Sequence, residues 1–405
     1  MKEVPLQRPG RSAPAAAPAV PAFALWQLGF RPFYLLAAAF AAIHVALWAL
    51  QFGGTIGRPL LAGPLWHGHE MIFGYALAVI AGFLLTAVRN WTGRPTPTGA
   101  ALALLAALWL LGRVLVLGPW PLAAAVVNAA FPVAVAIAIG GPIVRARNTR
   151  NYFFVGLLGL LGALVLGVHA ALHGLVAVDP LQGLRLGLDV VLFIMVVMAG
   201  RVVPMFTNNG IAGLNARRNP IVERLSLGSV LALLVVDLAG VAAAWAVPLA
   251  GAVALLAGLA NAVRLALWQP WRTFSTPLVW VLHVAYAWIV LHLLLRAGVA
   301  AGLVGHSVAV HALTVGAIGG LTLGMMTRTA RGHTARPLRA DGFEAAMYVL
   351  VFASALVRVF GPLASPAGLV GFVQASAILW AAAFGLYVVR YWPVLTRPRL
   401  DGKPG

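Results

Sequence analysis

The stretch Leu65–Gly82, LWHGHEMIFGYALAVIAG, decides how the rest of the chain is interpreted. It places His67, His69 and Glu70 at the start of an apolar run that carries no further charge until Arg89. A run of this length and apolarity can cross a lipid bilayer as a helix. Ionisable side chains at the edge of such a segment are costly to keep, so they indicate a functional site.

The composition of the whole chain is typical of a membrane protein. Of its 405 residues, 62% are hydrophobic and only 9% are charged, whereas soluble domains carry about 25% charged residues. The 28 Lys and Arg outnumber the 9 Asp and Glu, which gives a formal net charge of +19. These basic residues lie in short connections between apolar segments. They therefore indicate the positive-inside pattern of a membrane protein, and we expect no nucleic-acid partner.

Apolar segments divided by Gly, Pro or charged residues predict an all-α polytopic membrane bundle of about twelve transmembrane helices. The predicted segments are Pro32–Phe52, Glu70–Val88, Gly99–Gly118, Pro121–Val144, Tyr152–Val176, Leu184–Phe206, Leu225–Trp245, Pro248–Trp268, Pro277–Arg296, His306–Thr327, Phe343–Phe360 and Ala367–Trp392. They form one membrane domain, residues 23–396. We expect residues 1–22, rich in Ala and Pro, to be a disordered cytoplasmic lead and residues 397–405 to be a cytoplasmic tail.

Arginines alternate between connections. They follow the second, fourth, sixth, eighth and tenth predicted helices, and both tails are basic as well. Cytoplasmic loops of membrane proteins carry such an excess of Lys and Arg. The pattern therefore predicts that the N- and C-termini are both cytoplasmic.

The histidines segregate to one side of this predicted bundle. The chain has ten histidines and no cysteine, so a metal would need imidazole, carboxylate or thioether ligands. Eight histidines are expected at similar depth on the external side: His44, His67, His69, His169, His173, His292, His306 and His311. Imidazoles that converge from several helices are how helical bundles hold metals and haem. These residues therefore form a candidate metal or haem site.

A simpler interpretation exists for several of these histidines. A single histidine in a membrane helix is more often a hydrogen-bonding contact between helices than a ligand, and this applies to His44, His292 and His306. His169 and His173 are four residues apart and share one helix face, which makes them candidate metal ligands.

The His-x-His-Glu cluster is more specific. On a regular helix His67 and His69 project to different sides, unless the first residue lies before the helix begins. Glu70 is explained by the helix dipole, which favours a carboxylate at the N-terminus. Its more specific role is to orient an imidazole or to relay a proton.

Four arginines interrupt the apolar segments: Arg113, Arg201, Arg264 and Arg358. Most lie near a segment end, where the guanidinium can reach the membrane interface. Arg201 is the least ordinary because it adjoins Pro204, and a buried arginine of this kind suits a haem propionate. An ion pair with Asp189 is not expected, because twelve residues of helix separate the two side chains.

Several stretches resemble the NnrS family of polytopic bacterial inner-membrane proteins, which is linked to nitric oxide metabolism and described as containing haem and copper. The stretches are Phe30–Leu36, Leu65–Pro95, Arg145–Asn148, Gly200–Asn209, Trp271–Trp288 and His311–Leu338. The resemblance implies haem b, copper and a role in tolerating nitric oxide in a bacterial inner membrane. It carries over His67, His69, Glu70, His283, His311 and His333 as motif positions. His333 is on the opposite predicted side, so we do not expect it to share a metal with the others.

Residues and resemblance together predict a haem b and copper protein that binds or reduces nitric oxide and protects against nitrosative stress. The candidate residues are Glu70 for catalysis, His69, His283, His311 and Arg201 for cofactor binding, and His67, His69, His169, His173, His283 and His311 as metal ligands. Besides the lipid bilayer and nitric oxide, reduction would need a quinol or another electron donor. Two other classes stay open, a membrane transporter and a non-catalytic haem or copper sensor or buffer of nitric oxide.

Overall fold

The computed structural model describes residues 23–57, 63–240, 243 and 245–403, and within these residues the secondary structure is entirely helical. The predicted lead, residues 1–22, lies outside them. The long helices are α1 (Phe30–Phe52), α2 (Pro64–Thr92), α3 (Gly99–Leu115), α4 (Pro121–Arg145), α5 (Tyr152–Leu172), α6 (Pro180–Gly210), α7 (Pro220–Ala239), α8 (Ala246–Leu267), α9 (Pro277–Ala300), α10 (His306–His333), α11 (Gly342–Ala364) and α12 (Leu369–Thr396). Each predicted segment coincides with one of these helices.

Ten of the described helices are long and apolar enough to cross a membrane. The other two are α3, which is apolar but has 17 residues, and α7, which has 20 residues and carries Glu223, Arg224 and Asp237. The prediction of an all-α multi-pass bundle is therefore confirmed. The predicted number of twelve spans exceeds the ten helices of the described chain that meet the length and apolarity of a span.

Local sequence explains where many helices begin. Five of them, α2, α4, α6, α7 and α9, start with proline at the first helical position, where the missing N–H is not needed. The side chains of Asp179, Asn219 and Asp341 accept hydrogen bonds from the first free backbone N–H groups of α6, α7 and α11. Several predicted boundaries are therefore early or late by a few residues.

Successive helices run in opposite directions, so the bundle has two ends. We call the end where α1 begins and α12 ends the terminal face; there the Ala24 N–H donates to the Thr396 carbonyl at 2.7 Å. We call the opposite end, where α1 ends and α2 begins, the histidine face. The arginine-bearing connections after α2, α4, α6, α8 and α10 all lie at the terminal face, as the alternating charges predict.

Two helices contain a π-helical segment: α2 at Glu70–Ala76 and α10 at Ala312–Ile318. Each segment follows directly after a candidate histidine, and π-helical turns inside α-helices occur frequently at functional sites. Each also contains a glycine against which another helix packs closely. A Cβ on Gly316 would lie 2.3 Å from the Trp288 ring of α9, so only glycine allows this approach.

This packing predicts that Gly316→Ala destabilises the protein. Overpacking of a close contact typically costs about 1–3 kcal/mol, and thermal unfolding of the detergent-purified variant measures the loss. Gly159→Ala is the matched control, because the same added methyl group in α5 meets no atom within 4 Å. An unchanged unfolding temperature in Gly316→Ala would contradict the close packing of α9 on α10.

Candidate functional site

Glu70 is buried at the histidine face between two positively polarised groups. Its Oε1 lies 2.8 Å from His69 Nδ1 and 2.7 Å from Arg113 Nη1 of α3. Arg113 also donates to the amide oxygen of Asn128 in α4. Because Glu70 is only 2% exposed, the arginine compensates a charge that would otherwise be strongly unfavourable in this environment.

This pairing fixes the tautomer of His69. A carboxylate that pairs with an arginine is ionised and can only accept, so His69 Nδ1 carries the proton and donates it to Glu70. The lone pair of His69 is then on Nε2, which is buried and has no hydrogen-bond partner. A histidine held by a carboxylate in this way has the arrangement typical of metal-ligating imidazoles.

The free nitrogen of His69 has a counterpart on α5. The rings of His69 and His169 are 5.2 Å apart between centroids and stand at 89° to each other. The Nε2 atom of His169 is also buried and unpartnered. Buried polar atoms without a partner are uncommon and require an explanation. The pair is therefore a candidate two-imidazole metal site, although no group of three or more His, Asp or Glu in the described chain is arranged to hold a metal ion.

His67 faces another side of α2, as the spacing predicts. Its ring stacks between those of His44 and Trp48 in α1, at centroid distances of 5.6 and 4.9 Å. Its Nδ1 atom is buried without a partner. His67 also lines a cavity of about 500 Å³ at the histidine face. The two histidines of the motif thus lie at two different sites, His69 beside His169 and His67 at the cavity.

The cavity is mainly apolar and is enclosed by α1, α2, α6, α10, α11 and α12. Its basic members are His67, Arg185, His306, His311 and Arg358. His311 Nδ1 lies 2.7 Å from the Ser307 carbonyl, which can only accept a hydrogen bond. His311 therefore has its lone pair on Nε2, the tautomer that a metal needs.

Two other candidate histidines stand apart from this cluster. His173 directly follows the last residue of α5 and is exposed. Its backbone N–H donates to the His169 carbonyl at 3.2 Å, but no hydrogen bond or ring stacking joins the two imidazoles in the described part of the chain. His283 lies nine residues before His292 in α9, about 13 Å deeper along the helix. Its Nδ1 is 3.1 Å from the Val279 carbonyl and its Nε2 is 3.3 Å from Thr207 Oγ1. His283 is thus a hydrogen-bonding contact between α9 and α6.

Arg201 lies near the terminal face, far from the histidine cluster. It is sixteen residues after Arg185 in α6, which corresponds to about 24 Å of helix. Its Nη1 donates to Asn151 Oδ1 at 2.6 Å. As the spacing predicts, it does not pair with Asp189. That carboxylate accepts from Arg296 of α9 at 2.5 Å.

The sequence did not identify the partners of the site. The sequence shows Arg113 as a charge within an apolar segment, but its contact with Glu70 joins residues 43 positions apart. The sequence predicts a helix contact for His292, and its Nδ1–H donates to the Ala309 carbonyl at 2.8 Å. Its Nε2 is nevertheless buried without a partner. His333 contacts the Phe30 ring at the terminal face, away from His311.

The sequence of the chain matches a known protein family. A sequence model of the family described as NnrS protein matches residues 24–399 of the chain. No curated protein sequence matches it.

The buried ion pair predicts a large effect of Glu70→Gln on stability. Removing one partner leaves the Arg113 charge buried, which typically costs about 3–5 kcal/mol. Glu70→Gln combined with Arg113→Met removes both charges, so we expect a smaller loss than in the single variant.

Unfolding of the detergent-purified variants measures these differences. Arg390→Gln is the control, because its ion pair with Asp341 is 42% and 43% exposed, and such pairs contribute at most about 1 kcal/mol. Equal losses in Glu70→Gln and Arg390→Gln would contradict a buried, charge-compensating contact.

Proposed function

The chain belongs to the NnrS family, and we propose that it binds nitric oxide at a haem b and a copper ion at the histidine face. Membership of this family fits a membrane protein associated with nitric oxide. The observation that carries the proposal is the hydrogen-bonding geometry of His69 and His311, from which their tautomers follow. Each donates its Nδ1–H to an acceptor and keeps the Nε2 lone pair for a metal.

The cavity of about 500 Å³ fits the requirements of a haem. A haem site needs apolar walls, an imidazole for the iron and cations for the propionates. His311 is the proposed iron ligand, and His67 lies in the wall that α2 contributes. Arg185 and Arg358 line the same cavity and are the proposed propionate partners. Arg201 is too distant for that role, so the propionate contact expected for Arg201 is reassigned.

The pair of His69 and His169 is the proposed copper site. Two imidazole nitrogens, both buried and without a hydrogen-bond partner, suit a copper ion. Glu70 fixes the ring of His69, and Arg113 keeps the carboxylate ionised. Glu70 is then a positioning residue, and its bonds to two donors favour this role over the delivery of protons.

When bound, reduced haem iron can take nitric oxide as a ligand and copper can exchange single electrons. The chain contributes the surroundings of this chemistry. Apolar walls keep water away from the cavity, and a small uncharged gas reaches such a cavity through the membrane. If nitric oxide is reduced, electrons must come from a quinol or another donor.

Charge distribution supports the proposed orientation. The arginine-rich connections lie at the terminal face, and positive loops are retained in the cytoplasm. We therefore assign both termini to the cytoplasm of a bacterium and the histidine face to the outer side of its inner membrane. A role in protection against nitrosative stress follows from binding or consumption of nitric oxide.

The first test separates the two sites by variants of their histidines. We expect His311→Ala to remove the Soret band of the purified protein and to leave copper bound. His169→Ala should remove copper, measured by elemental analysis, and leave the Soret band.

The matched controls are His333→Ala for haem and His173→Ala for copper. In this proposal His333 does not contribute to the haem site, and His173 does not contribute to the copper site. Purified protein that contains neither haem nor copper after expression with both supplied would refute the proposal. Loss of haem in His333→Ala and its retention in His311→Ala would indicate that the haem binds at the terminal face instead.

The second test asks whether nitric oxide is converted or only bound. Anaerobic protein with a reductant is supplied with nitric oxide, and nitrous oxide is measured by gas chromatography. Production that stops in His311→Ala supports a reductase. Spectral shifts without nitrous oxide indicate a sensor or buffer of the gas.

A further inference from the structure

The bundle contains a second cavity, of about 650 Å³, at the terminal face. It is formed by α2, α6, α10 and the connections after α4 and α6, so it lies at the opposite end from the histidine cluster. Its polar lining includes Arg150, Arg201, Arg218, Asn148 and Asn151. Nothing in the proposed chemistry of the histidine face uses these residues.

No carboxylate lines this cavity in the described part of the chain. The guanidinium of Arg201 donates only to neutral oxygens, Asn151 Oδ1 at 2.6 Å and the Arg150 carbonyl at 3.5 Å. Arg150 itself has no described ion pair. Its side chain and that of Arg218 are exposed.

Arg218 makes only a long ion pair with a carboxylate. Its Nη2 is 3.7 Å from Glu223 Oε2. The same carboxylate accepts two hydrogen bonds from the buried Arg264, at 2.9 and 2.5 Å. Arg264 thus neutralises the negative charge of Glu223, and the positive charge of Arg218 stays uncompensated. Three guanidinium groups therefore surround one cavity without an acidic partner of their own.

The guanidinium of Arg201 is fixed in one position by the residues around it. Its guanidinium lies over the rings of Trp91, Phe153 and Phe154, at 5.7 to 6.0 Å from their centroids. Asn151, which fixes its Nη1, is 4% exposed and donates to Asn148. A guanidinium held in this way loses little conformational freedom when a ligand binds.

We propose that this cavity binds an organic phosphate ester. Arginine forks match the oxygens of a phosphate, and three guanidinium groups exceed the charge of a single carboxylate. The apolar part of the lining, which includes Met198, Met205 and Phe206, suits the carbon part of an ester better than inorganic phosphate. The phosphate group belongs either to a membrane phospholipid or to a soluble ester.

The test titrates the full-length purified protein by calorimetry with two probes. Dihexanoyl phosphatidylglycerol, used below its micelle concentration, represents the lipid, and glycerol 3-phosphate represents the soluble ester. Dihexanoyl phosphatidylcholine shows the effect of adding a positive charge to the headgroup. The variant Arg150→Gln/Arg218→Gln alters exposed side chains only, and its unfolding temperature without ligand verifies that it folds.

We expect at least one anionic probe to bind and its affinity to fall at least tenfold in the double variant. Arg217→Gln is the control, because Arg217 is exposed beside Arg218 but does not line the cavity; its affinity should change less than twofold. Binding of the lipid alone identifies a phospholipid, binding of glycerol 3-phosphate alone identifies a soluble ester, and binding of both identifies the phosphate group as sufficient. No binding of either probe overturns the proposal. So does an equal loss in Arg217→Gln, since that indicates unspecific attraction.

Discussion

The contact between Glu70 and Arg113 determines the geometry of the histidine face. A carboxylate and a guanidinium in the interior of a membrane bundle must stay together, because either one alone would be strongly unfavourable there. The pair therefore fixes α2 against α3. Trp109 of α3 adds a second bond, since its Nε1–H donates to the Gly74 carbonyl at 3.0 Å. With α2 held in this rotation, His69 is turned towards α5.

The π-helical segments provide the room for these contacts. Such a segment widens the helix by one residue, so the side chains before it are displaced relative to those after it. In α2 the segment contains Gly74, where a Cβ would lie 2.6 Å from Arg113 Nη1. In α10 the segment contains Gly316, on which Trp288 packs. Both histidine-bearing turns thus precede a widened turn with a glycine that accepts a large neighbouring side chain.

The fold was predictable to a large extent because the bilayer sets the length of each apolar segment. The predicted helix at Pro277–Arg296, for example, starts at the same residue as the observed α9 and ends only four residues before α9 ends. Depth was predictable as well: Arg201 is 17 residues, about 26 Å of helix, from Leu184, where the sixth predicted segment begins, so the sequence alone places it opposite the histidines. This distance is too long for the expected contact between Arg201 and a propionate of a haem that the histidines bind.

Lateral contacts were not predictable in the same way. Depth follows from counting residues, whereas the partner of a side chain depends on the rotation and order of helices in the bundle. Asp189 pairs with Arg296, which is 107 residues away, and Glu70 pairs with Arg113 across a hairpin. Neither pair has a local pattern in the sequence. The type of site was therefore predictable from residue chemistry, but the set of residues that completes it was not.

The two cavities are lined in part by the same helices. On α2, His67 faces one cavity and Trp91 the other; on α10, His311 and His333 are divided in the same way. A shared helix does not by itself couple two sites. Coupling requires that the helices have two arrangements and that each ligand favours one of them. The buried Glu70–Arg113 pair and the close packing at Gly316 both oppose sliding of α2 and α10. The contacts therefore favour independent binding of the two proposed ligands.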